Sequence, residues 1–148
     1  MSETTIREAN RRPRTSAGRI ITALIAAVVA SSAANAVIAV LARAAGASDD
    51  FVPLQAQAYL FLTVTGVLAG AAGWAAVRRR SRRPDAVLRW LIPAVVAASL
   101  IPDVALLFTD VQPHTSGLAV TALIVMHLAT AAVAVPLFAH ALPVRAAT

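Results

Sequence analysis

Four long apolar runs, separated by short polar or charged segments, organise the chain; they cover residues 20–42, 51–77, 88–109 and 117–142. Each is long enough to cross a hydrocarbon core of about 30 Å at about 1.5 Å per residue, so each predicts a transmembrane helix. Residues 1–18, MSETTIREANRRPRTSAG, are polar, basic and aperiodic, and read as a flexible cytoplasmic tail. Residues 144–148 read as a second, shorter one. Between them, residues 19–143 form one unit, and the predicted fold class is all-α: a four-helix transmembrane bundle.

Composition narrows the setting. At 59% hydrophobic residues and a mean hydropathy of +0.74, the 148-residue chain is too apolar for a water-soluble domain. All 13 basic residues are Arg, and nearly all flank the apolar runs. Such residues resist translocation and hold their loops on the cytoplasmic side. Arg7, Arg11, Arg12, Arg14 and Arg19 precede the first run, and Arg78, Arg79, Arg80, Arg82, Arg83 and Arg89 lie between the second and third. The opposite loops carry Arg43 with Asp49 and Asp50, and Asp110 with His114. The expected topology is N-in and C-in, in a bacterial plasma (inner) membrane, with Trp74 and Trp90 as headgroup anchors at the cytoplasmic ends of spans two and three. The net charge of +6 therefore reports orientation, and no nucleic-acid partner is expected. Without cysteine, thiol chemistry and thiolate metal sites are excluded.

The first run also resembles a secretory signal, with basic residues, IITALIAAVVA and the small-residue site Ala34-Asn35-Ala36. The apolar run continues through VIAVLA beyond that site, which favours an uncleaved span of full length.

Helices in lipid associate by close packing and polar contacts, because the acyl chains are as apolar as the side chains. Two small-residue faces are candidates: Gly66, Gly70 and Gly73 in the second span, and Ala26, Ala30 and Ala34 in the first. Their partner is either another span of the chain, a second copy, or another membrane protein. Pro93, Pro102 and Pro136 interrupt apolar spans, and Pro102 deprives the Ala98 carbonyl of its usual donor, which predicts a kink there.

Chemistry concentrates at one place. In "SLIPDVALLFTD" a carboxylate, Asp103, follows Pro102 about six residues from the outer end of the third span, roughly 9 Å deep. An Asp at membrane centre costs about 2.5 to 3.5 kcal/mol, against about 0.3 to 0.6 returned by each Leu, Ile, Val or Phe of the span. Such a residue faces a bundle interior or water and finds a partner. His127, Gln57 and Asn35 lie in the outer halves of the other spans, Ser99 shares the Asp103 face, and Thr130 follows His127 by a turn. The expected site is a polar core of Asn35, Gln57, Ser99, Asp103 and His127.

Two readings compete for that core. In the favoured one it is structural, fixing helix register through interhelical hydrogen bonds. In the other, Asp103 and His127 form a proton relay or a small ligand site in a transporter or proton-coupled carrier. A third has Asp103 snorkelling to the outer interface. An enzyme is motivated only by the acid–base potential of the same two residues. His114 and His140 do not close a metal site with His127, and no nucleophile motif or phosphate loop is present, so no metal, cofactor or catalytic residue is expected.

The runs "LIPAVVAASLIPDVALLFTD", "MHLATAAVAVPLFAHALP" and "TVTGVLAGAAGWAAVRRR" resemble a family of uncharacterised four-helix membrane proteins common in actinobacteria, which carries a domain of unknown function. The similarity covers roughly residues 20–143. It implies a four-span inner-membrane protein, and lends no substrate, cofactor or site residue.

Overall fold

The structure, a computed structural model, describes residues 17–143; the tail readings for 1–16 and 144–148 fall outside the described residues. The order is α1 (Ala17–Ala44), a 3-10 turn (Val52–Leu54), α2 (Ala56–Arg80), α3 (Pro84–Ser99), α4 (Ile101–Ala105) running into a second 3-10 turn (Leu106–Phe108), and α5 (Gly117–Ala141). No strand occurs among the described residues. Counting the segment Pro84–Phe108 as one, the described residues hold four helices long and apolar enough to cross a membrane. One end of the bundle carries the α1–α2 and α4–α5 loops and is here the loop end; the other carries the arginine-rich α2–α3 connection and is the arginine end.

α1 and α5 form the central packed pair, with α2 laid against α1. Small side chains make this close approach feasible, as lipid supplies no hydrophobic drive between helices. On α1 the buried positions are Ala27, Ser31, Asn35, Ala39 and Ala42, one residue on from the expected Ala26, Ala30 and Ala34 face. That rotation takes Ser31 and Asn35 out of lipid, where their polar groups would have no partner. α3 stands apart: 6% of its most apolar window is buried, against 33% for α5.

The two ends are finished differently. At the loop end α1 closes in a Schellman motif, Ala47 N–H to Ala42 O and Gly46 N–H to Arg43 O, both 2.9 Å, with Gly46 at φ +106° where a glycine is needed. The chain then turns back into the bundle: Phe51 and Leu54 are fully buried among Ala39, Ala119, Leu123 and Met126. Residues 51–55 are therefore an apolar plug, and α2 starts at Ala56, five residues after its apolar run begins. Arg43 is tied down by the Leu54 carbonyl and lies 3.4 Å from Asp49. Ser116 caps α5 by accepting from Ala119 N–H at 3.1 Å.

At the arginine end Trp74 differs from its expected role. It is buried, donates from Nε1 to Leu142 O at 3.0 Å, and meets Phe138 edge to face at 6.2 Å. An orphan carbonyl at the end of α5 recruits the indole inward. Trp90 is 77% exposed, in the position of an interfacial anchor.

Candidate functional site

Pro102 sets the geometry at the loop end of the third span. It has no N–H for Ala98 O, and the helix breaks just before it: α3 ends at Ser99, Leu100 N–H turns to Ala97 O at 3.2 Å, and α4 resumes with Val104 N–H to Leu100 O at 3.0 Å. Pro93 and Pro136 interrupt no helix. The break places Asp103 on the side of α4 that faces α5, where it is 9% exposed.

His127, ten residues into α5, meets it. Nδ1 lies 2.9 Å from Asp103 Oδ2 and 3.0 Å from Leu123 O. A single Nδ1–H thus faces two acceptors, and the enclosed Oδ2 accepts no well-directed hydrogen bond of its own. The His127 Nε2 atom makes no hydrogen bond among the described residues. The imidazole is half-buried, with its open part on the wall of a neighbouring cleft.

A second polar group joins the first through α5. Asn35 Nδ2 donates to Thr63 Oγ1 at 2.9 Å and to Thr130 Oγ1 at 3.2 Å, linking α1, α2 and α5. Thr63 in turn donates to Tyr59 O at 2.6 Å, and Thr130 stands one turn after His127. The Asn35 carbonyl oxygen is enclosed without a donor, as are the hydroxyls of Ser31 and Ser32. Each is an open hydrogen-bonding position inside the bundle.

The structure pairs Asp103 with His127 and places Asn35 in a separate group with Thr63 and Thr130, while Ser99 lines the cleft and donates to its own helix at Val96 O, 2.7 Å. Gln57 is elsewhere: it is exposed in the first turn of α2 and makes no hydrogen bond among the described residues. Thr63 takes the place expected of it. Nothing in the spacing singled out Thr63, since exposed Thr109 and Thr121 make the same bond to the carbonyl four residues earlier.

The cleft has a volume of about 460 Å³ and runs between α2 and α3 with α5 behind. Gly66, Gly70 and Gly73 lie along it. A Cβ on Gly66 or Gly73 would meet nothing within 4 Å, and one on Gly70 would meet only Phe138 Cε2, at 3.5 Å. Within this chain the glycine face therefore borders open space rather than a close helix crossing. Among the described residues no three His, Asp or Glu side chains cluster to hold a metal.

Residues 15–144 match the model of a family of unknown function, DUF6069. No curated protein and no solved structure matches the chain.

Proposed function

The chain belongs to the DUF6069 family, which has no assigned activity, and from its own geometry we propose a non-enzymatic, structural or accessory protein of a bacterial plasma membrane, N-in and C-in. The single observation that carries this reading is the 2.9 Å contact between Asp103 and His127. It spans the break in the third span and fastens the otherwise loosely packed α3–α4 segment to α5. A carboxylate enclosed at that depth without a mate would be expensive; with one, it works as a clasp. The Asn35–Thr63–Thr130 group does the same for α1, α2 and α5. Together they give the loop half of the bundle a register that apolar contacts alone do not define. Assembly with a second copy or another membrane protein belongs to the same reading.

The test is Asp103→Asn in protein reconstituted into liposomes. If the contact is a clasp, the substitution lowers the unfolding midpoint and leaves proton flux where it was. The runner-up, a proton-coupled carrier using Asp103 and His127, is favoured by the position of His127 between the enclosed carboxylate and the cleft. It requires a pH-driven flux in the parent protein that Asp103→Asn abolishes with the fold intact, and that result would displace the structural reading.

A further inference from the structure

We propose that the cleft between α2 and α3 binds a single-chain amphiphile with an uncharged, hydroxyl-type head, taken up sideways from the membrane. The proposal shares with the preceding reading the membrane setting, His127 and the Asn35–Thr63–Thr130 group, and does not depend on their acting as clasps.

Polarity is divided along the cleft. Asn35, Thr63, Ser99, His127 and Thr130 border one end, and the walls then become apolar as far as Trp74 and Phe138 at the other. From Thr63 to Trp74 is eleven residues of one helix, about 16 Å at 1.5 Å each. The volume of about 460 Å³ lies within the ~300–1,000 Å³ common for small-molecule sites. Width comes from missing side chains, since Gly66 and Gly73 leave space that no neighbour fills.

The polar end has unused capacity, and its chemistry selects the head group. Asn35 is 3% exposed, yet its carbonyl oxygen has no donor, while both bonds made by its amide nitrogen go to threonines on the cleft wall. The half-exposed His127 imidazole lines the same end, and with its Nδ1–H turned to Asp103 and Leu123 O its Nε2 is an acceptor that the hydroxyl of an occupant would complete. No Arg lines the cleft, so a phosphate, sulfate or ionised carboxylate head would find no counter-charge, and the Asp103 carboxylate is already beside His127. A quaternary ammonium has no proton to give. An alcohol satisfies the acceptor and stays neutral. Leu62 and Val95, on opposite sides of the cleft, are 58% and 57% exposed, so it opens on the flank of the bundle, where a membrane amphiphile arrives.

Trp74 at the apolar end provides the readout. The chain has two tryptophans, and Trp90→Phe leaves Trp74 as the only indole. The full chain carrying that change is placed in phosphatidylcholine nanodiscs and titrated with a long-chain primary alcohol brominated at its terminal carbon, bromine being a contact quencher of indole. Saturable quenching is expected, reversed by excess unbrominated alcohol and weaker for an alcohol brominated beside its head. The tail-brominated alkyl sulfate should give no saturable quenching. Gly66→Leu, which fills open space, should weaken the apparent affinity by about tenfold or more with the unfolding midpoint nearly unchanged; Gly73→Leu serves if that variant misfolds. Quenching that never saturates, that is equal for head and tail bromine, that the sulfate reproduces, or that ignores both glycine variants overturns the proposal. So does cross-linking across Gly66 that reports a second copy in the cleft. Asp103→Asn enters none of these measurements, so failure here and failure of the clasp are separate results.

Discussion

Asp103→Asn keeps the side-chain shape and removes the charge, which makes it the cleanest probe of the contact with His127. In a double-mutant cycle with His127→Gln, measured by reversible unfolding in mixed micelles, the expected coupling is about 0.6 to 2 kcal/mol, the range of interhelical polar contacts in membranes. A coupling near zero would mean that the two groups are neighbours without consequence. Trp74→Phe keeps a ring against Phe138 but leaves Leu142 O without its donor, and should cost about 1 kcal/mol. Trp90→Phe, at an exposed site, should fall within about 0.5 kcal/mol of the parent in the same assay. The burial of Asp103 beside His127 was legible in the sequence because an acid at that depth demands shelter. Gln57 misled for a definable reason: depth was counted from the start of the apolar run, whereas residues 51–55 fold into a plug and α2 begins at Ala56. That places Gln57 in the first turn instead of six residues down, and gives its place to Thr63.

Spans were readable from length and apolarity, because a helix of about 20 apolar residues has few other uses. Their facing was not. In water the apolar stripe of a helix marks its buried side, but in lipid both sides are apolar and that signal vanishes. What marks the interior of α1 is the pair of polar residues, Ser31 and Asn35, and the buried alanines follow them rather than the Ala26, Ala30, Ala34 series. The glycines of α2 show the same ambiguity: their spacing suits a helix crossing, and in this chain they border the cleft. The break before Pro102 was legible, since proline removes a donor wherever it falls inside a helix, and it has a testable purpose. Pro102→Ala restores an N–H for Ala98 O and lets α3 run on through Leu100, rotating Asp103 away from α5. The expectation is that the Asp103–His127 coupling drops towards zero in the Pro102→Ala background. If the coupling survives unchanged, the break does not position the carboxylate.

Orientation belongs to the whole molecule, and the arginines that set it are also where one apparent exception is explained. Arg43 stands at the loop end, opposite the cluster between α2 and α3, and by the rule that retains arginine in the cytoplasm it argues for the wrong side. Its guanidinium is committed, however, to the Leu54 carbonyl and to the neighbourhood of Asp49, so it arrives as part of a folded loop beside a compensating acid. Five arginines crowd the α2–α3 connection with a single acid, Asp85, nearby. That imbalance is the ground for the proposed N-in, C-in arrangement, and the absence of cysteine makes the proposal simple to test. Ser48→Cys, in the loop after α1, should react with a membrane-impermeant maleimide in intact cells, while Ser81→Cys, between α2 and α3, should react only after the membrane is opened. The reverse pattern would turn the molecule over. The Asp103–His127 clasp and the head-group end of the cleft would then lie in the cytoplasmic leaflet, and the amphiphile proposed for that cleft would have to come from there.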